Sequence, residues 1–207
     1  MGYTITQYKK IGKGRVEICL DKSTTFWLYT SEARQFSLEE DMELPEEQYR
    51  QILYDIIGKR AIKRAMHLLE QQERTEHQLR EKLMQNAYPA EAVEAAISYV
   101  KSYHYLDDMR YARTFIQFHQ EERSRKRLEM DLLRRGVPKD IIVKSIEEEF
   151  SSDEKKQIRR LLEKKHFSPD LADQKEIRKM YGFLMRRGFK SSDIASVMRT
   201  GYTDGYD

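Results

Sequence analysis

Residues 106–142 read LDDMRYARTFIQFHQEERSRKRLEMDLLRRGVPKDII, three helices in succession with their own punctuation. Asp107 or Asp108 can cap the first, because a short acidic side chain accepts the free N–H groups of an opening turn. Tyr111, Phe115 and Phe118 follow at i, i+4 and i+7, which puts three aromatic rings on one helical face. The second helix carries Arg125, Lys126 and Arg127, then Leu128, Leu132 and Leu133. It is expected to stop at Gly136, since a left-handed residue is the common helix end. Pro138 stands where a third helix begins, its missing N–H being harmless in a first turn.

The same pattern is written on either side. Leu83-Met84-Gln85-Asn86-Ala87-Tyr88-Pro89 aligns with Leu132-Leu133-Arg134-Arg135-Gly136-Val137-Pro138 and with Leu184-Met185-Arg186-Arg187-Gly188-Phe189-Lys190. In each copy a leucine precedes a small residue by four, an apolar residue follows, and Val93, Ile142 or Ile194 comes five later. The copies lie about 50 residues apart, room for three short helices and their linkers. The chain therefore reads as a tandem array of three three-helix modules: residues 59–104, 105–150 and 151–200.

Upstream the texture changes. Thr4, Ile5, Thr6 and Tyr8, then Val16, Ile18 and Leu20, then Phe26, Leu28 and Tyr29 are β-formers separated by Gly12-Lys13-Gly14 and Asp21-Lys22-Ser23. They predict a three-stranded antiparallel meander with one wet face, with Trp27 across it or against the helix that follows. A short helix over 31–36, a polar turn through Glu43 and a helix opened by Pro45, which Gly58 can interrupt, complete a β extension and linking helix over residues 1–58. Thr75 is expected to cap a helix of the first module. In the third, Pro169 is expected to start a helix ending at Gly188, and Ser191 or Ser192 to cap the last. Residues 201–207 read as a flexible tail. The fold class is thus mainly α, elongated and curved, with a small β extension in front.

Of 207 residues, 39% are hydrophobic and 35% charged, which suits a thin helical body. Net charge is +3, unevenly placed: residues 1–100 hold 14 basic and 16 acidic groups, residues 101–207 hold 24 and 19. The surplus of +5 in the second half points to an anionic partner. One cysteine, Cys19, excludes an intramolecular disulfide and fits a reducing cytoplasm. No apolar run approaches the ~18 residues a membrane span needs, and no charged-then-apolar leader is read.

Little in the chain argues for catalysis. Adjacent helical positions point about 100° apart, so Asp107 and Asp108 are better suited to capping than to sharing a metal. The five histidines form no HxxxH or HExxH pair, and CxxC is absent from the sequence, so no zinc site, other metal or cofactor is expected. Gly12-Lys13-Gly14-Arg15 lacks the phosphate-loop arrangement. The cations are more telling. Arg123, Arg125, Lys126 and Arg127 crowd a helix start, where the dipole disfavours them, as though kept for an anionic ligand. Arg134-Arg135 and Arg186-Arg187 recur one turn before a glycine, where the dipole alone would also favour them.

Several of these stretches together resemble the RecX family, bacterial regulators of the RecA recombinase. They are Leu68-Leu69 with Arg74-Thr75 and Leu79 to Leu83; Tyr105-Leu106-Asp107-Asp108 with Tyr111-Ala112; Arg127-Leu128 through Gly136; and Arg186-Arg187-Gly188-Phe189. The likeness covers residues 60–199. Where the family usually has Lys-Gly-x-Gly-Pro, this chain has Glu121-Glu122-Arg123-Ser124-Arg125, and where it usually has glycine, Ala87. The resemblance implies a non-enzymatic, monomeric, cytoplasmic protein that lies in the groove of the RecA–DNA filament, lowers its ATP hydrolysis and strand exchange, and contacts single- or double-stranded DNA weakly and without sequence preference. The expected contact residues are Arg123, Arg125, Lys126, Arg127, Arg134, Arg135, Arg186 and Arg187. Two other readings stand beside it: a stand-alone helical nucleic-acid-binding protein, since short helices can enter a groove, and a scaffold for another protein.

Overall fold

The computed structural model describes residues 2–21 and 24–199, so the expected tail lies outside the described residues. The chain divides into two compact units, Met1–Asp107 and Asp108–Asp207.

In the first unit β1 (Gly2–Gly12), β2 (Arg15–Leu20) and β3 (Thr25–Tyr29) form the expected meander. A fourth strand, β4 (Glu43–Pro45), pairs with the start of β1, so the sheet runs β3-β2-β1-β4, antiparallel throughout. The expectation of three strands is corrected here. Three residues are too few to show an alternation, and Pro45 is tolerated because β4 lies on an edge. Val16, Ile18 and Leu20 are buried while Glu17 and Cys19 are not. Trp27, on the face opposite this core, lies under the Arg60 guanidinium at 4.1 Å. Its indole N–H donates to the Asn86 carbonyl (3.4 Å), and Arg60 also binds the Glu32 carboxylate (2.5 and 2.7 Å).

After α1 (Thr30–Gln35) and β4, α2 (Glu46–Gln51) leads through a π-helical segment (Ile52–Gly58) into α3 (Lys59–Gln71). Gly58 therefore does not interrupt the helix. Its φ and ψ are −62° and −46°, and an added Cβ would lie 3.1 Å from the Leu53 carbonyl oxygen that the wide turn brings across. α4 (Glu76–Gln85) begins with the Thr75 cap: Thr75 Oγ1 accepts from Gln78 N (3.2 Å) and Thr75 N donates to Gln78 Oε1 (3.3 Å). With α5 (Ala90–Ser102), these helices and the sheet enclose one core, in which Ile18 and Leu28 meet Ile57, Ala65, Leu79 and Leu83. The small sheet gains from the helices the burial it could not supply alone. Tyr49 of α2 sits against Tyr3 and Phe26, and burial pushes its hydroxyl up to about 12.

The second unit holds two triplets, α6 (Asp108–His119), α7 (Arg125–Arg134) and α8 (Lys139–Glu149), then α9 (Glu154–Lys164), α10 (Gln174–Arg186) and α11 (Ser191–Arg199). Each has its own core: Phe115, Ile116, Leu128, Leu132 and Ile146 in one, Ile158, Leu162, Leu184, Phe189 and Ile194 in the other.

The repeated helix end is the same in all three modules. Ala87, Gly136 and Gly188 have φ of 57°, 79° and 87°. The N–H that follows each returns to the leucine carbonyl, Tyr88 to Leu83 (3.5 Å), Val137 to Leu132 (3.2 Å) and Phe189 to Leu184 (3.4 Å). All three leucines are fully buried. The next helix opens alike, with Pro89, Pro138 and Lys190 carbonyls accepting from Val93, Ile142 and Ile194 at 3.0 Å.

Two side-chain expectations are corrected. Phe118 is 79% exposed, because the buried face of α6 is centred on Ala112, Phe115 and Ile116, with Tyr111 at its edge. Pro169 does not open α10. It sits in a turn in which Leu171 N donates to the Ser168 carbonyl (3.2 Å), and the helix starts at an Asp173 capping box completed by Glu176.

Candidate functional site

The start of α7 is where the second and third triplets meet. Ser124 is its cap, and its Oγ accepts from Arg127 N (3.2 Å) and donates to the Arg187 carbonyl (2.7 Å). Arg125 N, another free N–H of that opening turn, donates to Glu154 Oε1 from α9 (3.0 Å). Burial, reinforced by Asp193, holds the Glu154 carboxyl above its ordinary range, although the Arg125 N–H and the Lys190 and Arg125 charges pull the other way. Gln157 bonds the Gln120 carbonyl and Ser152 Oγ, and Arg160 pairs with Glu121 at 3.0 Å. Gly188 makes this approach possible, since a Cβ there would lie 2.7 Å from Ser124 Oγ and 3.2 Å from Arg127 N. The glycine thus serves both the left-handed helix end and the junction.

This junction leaves a cleft of about 700 Å³, whose wall carries Arg123, Arg160, Lys164, Lys165 and Arg187 against Glu121 and Glu122. Of the eight cations expected from sequence, Arg123 and Arg187 come together here. Arg160, Lys164 and Lys165 were not among the expected residues. On α9 they read as the wet side of an amphipathic helix, and only the junction turns them toward Arg123.

The other α7 cations have a different organiser. Asp131 is 5% exposed, and its Oδ2 binds Arg123 (3.0 Å) and Arg127 (3.1 Å). Arg134 lies 3.7 Å from Oδ1, and Arg135 donates to the Asp131 carbonyl (3.2 Å) and Tyr111 OH (3.1 Å). Arg123 and Arg135 both stand over the Phe115 ring, at 5.3 and 4.4 Å. Burial, with these two guanidiniums nearby, lowers the His119 pKa. Two cations at this helix start, Arg123 and Arg127, thus have a structural use: they neutralise a carboxylate that could not be buried unpaired. Arg125 leans 3.7 Å from Glu129, Lys126 is exposed, and Arg186 faces a separate hollow of the third triplet. Four arginines around one aspartate still leave a positive field at the edge of the cleft. Among the described residues no cluster of three or more His, Cys, Asp or Glu could hold a metal, and no helix is long and apolar enough to cross a membrane.

Residues 61–99 match the first three-helix domain of RecX, and residues 153–198 match the third. The regulatory protein RecX of Caldanaerobacter subterraneus subsp. tengcongensis is 33% identical over 177 residues, 83% of this chain and 87% of that one. The chain belongs to the RecX family. The RecX of Trichlorobacter lovleyi is 35% identical over 138 residues, 64% of this chain and 90% of its own. A crystal structure of regulatory protein RecX superposes with a TM-score of 0.62 at 23% identity, covering 95% of this chain and 99% of that one. RecX from Lactobacillus salivarius gives 0.57 at 15% identity, over 69% and 95%. These two show the shared fold. The relatives are named as regulatory proteins.

Proposed function

We propose that this RecX chain regulates RecA by lying as a monomer in the groove of the RecA–DNA filament in the cytoplasm, lowering ATP hydrolysis and strand exchange. The cleft is its contact with DNA phosphates. The observation that carries the nucleic-acid part is the convergence of Arg123, Arg160, Lys164, Lys165 and Arg187 on one cleft. Arginine and lysine side chains neutralise backbone phosphates, and contacts of that kind bind without reading sequence. Arg125, Lys126, Arg127, Arg134, Arg135 and Arg186 flank it and extend the positive field.

The test is the single-strand-dependent ATPase of RecA titrated with the parent chain and with an Arg160→Glu/Lys164→Glu variant. The parent inhibits, and the variant inhibits poorly. The slope of DNA affinity against salt falls by about one unit for each phosphate that is no longer neutralised. Tight DNA binding without any effect on RecA would instead favour a stand-alone nucleic-acid-binding protein. Undiminished inhibition by the variant would favour a protein-only contact.

A further inference from the structure

A second hollow, of about 540 Å³, adjoins the basic cleft along Lys165 and Phe183. Its apolar lining comes from Phe167, Leu171, Met180 and Phe183. Leu171 is 88% exposed on the loop before α10, an orientation that contributes nothing to the third core. Along α10, Glu176, Lys179, Met180 and Phe183 fall at i, i+3, i+4 and i+7, so one helical face supplies much of the hollow. Three cations, Lys165, Lys179 and Arg186, rim it, and none has a carboxylate partner among the described residues. The acidic group present, Glu176, is engaged at the helix start, where its Oε2 accepts from Asp173 N (3.1 Å).

An apolar floor inside a rim of three cations to one carboxylate selects its occupant. We propose that the hollow docks an acidic peptide segment of a partner protein, anchored by a leucine- or phenylalanine-sized side chain between Leu171 and Met180. Methionine adapts its shape to such anchors. Nucleic acid is the poorer fit: Leu171 and Met180 offer a base no flat platform, and the Phe183 ring already carries Lys165 (5.6 Å) and the Arg187 guanidinium (4.7 Å).

Fluorescence polarisation with the full chain tests this. The probe is a short labelled peptide of glutamate, leucine and phenylalanine. The comparison peptides replace its apolar residues by serine or its glutamates by lysine. Saturable binding of the first is expected, with each comparison peptide, and each of the variants Leu171→Asp and Lys179→Glu, weaker by about tenfold or more. Affinity for oligothymidylate should be unchanged in Leu171→Asp, whose exposed site leaves the fold intact. Absence of saturable peptide binding, or binding indifferent to both variants, overturns the proposal. So does a loss of oligothymidylate affinity in Leu171→Asp without a loss of peptide binding, which would make the hollow part of the nucleic-acid cleft.

Discussion

Ser124 donates its hydroxyl hydrogen to the Arg187 carbonyl at 2.7 Å while the same oxygen caps α7. One small side chain thereby ties the opening of the middle helix of one triplet to the closing turn of the middle helix of the next.

Replacing Gly188 tests that tie. A Cβ at φ 87° carries the left-handed penalty of about 1–2 kcal/mol, and it also meets Ser124 Oγ at 2.7 Å. Gly188→Ala should lower the thermal stability of residues 108–199, and Gly188→Ala/Ser124→Gly should recover the part due to the collision. A Gly188→Ala protein that loses only the left-handed penalty, and gains nothing from Ser124→Gly, would show that this junction is open in solution.

Around Asp131 the two sides of the network should respond unequally. Arg123→Ala/Arg127→Ala leaves a carboxylate of 7% side-chain exposure largely unpaired and should cost about 3 kcal/mol, as broken buried pairs do. Asp131→Asn removes the buried charge and leaves cations that water can reach, so it should cost less. Urea unfolding of the two variants ranks them, and the reverse order would mean Asp131 is hydrated. Arg125→Ala/Lys126→Ala should leave stability nearly unchanged.

Ala87 occupies at φ 57° the position filled by glycine in the other two modules. Ala87→Gly removes a backbone penalty, offset in part by the greater freedom of the unfolded chain, and should stabilise the first unit by about 1 kcal/mol. Differential scanning calorimetry showing a lower melting temperature would mean that the alanine is unstrained.

Glu154 gives the junction a pH dependence. Its folded-state pKa is raised, so the folded chain holds that proton more tightly than the unfolded one. The associated stability is fully present below its ordinary value of 4.5 and is lost as pH rises through the raised folded value. Glu154→Gln keeps an acceptor for Arg125 N without the charge. It should be more stable than the parent near neutral pH, with the gap closing toward about pH 4. Denaturation profiles that stay parallel over this range would refute it.

Leu132 is fully buried at the repeated helix end. Leu132→Ala should cost about 2–5 kcal/mol in denaturant unfolding.

What sequence alone placed correctly depends on neighbours along the chain. Leu83, Ala87 and Val93, and their counterparts Leu132, Gly136 and Ile142, or Leu184, Gly188 and Ile194, sit within a few helical turns, so local rules fix them. Phe118 was misplaced because period alone cannot locate the centre of a buried face. Asp131 was hidden among charged neighbours and looked like one more solvated group. The basic cleft was only partly legible: Arg123 and Arg187 were visible as cations, but Arg160 and Lys164 join them through contacts spanning tens of residues, such as Arg160 to Glu121 and Ser124 to Arg187. β4 was missed because its pairing with Gly2–Thr4 lies across some forty intervening positions.

The two cores of the second unit do not merge, and the seam between them is made of hydrogen bonds and ion pairs. Breaking such a seam hydrates polar groups that water can satisfy, whereas splitting a shared core would expose hydrocarbon. The final triplet is therefore expected to open as a unit of its own, its amides exchanging with deuterium while α6–α8 stay protected. If the chain lies along the filament as proposed above, a last triplet that opens by itself would leave that surface before the rest, and dissociation would proceed by peeling.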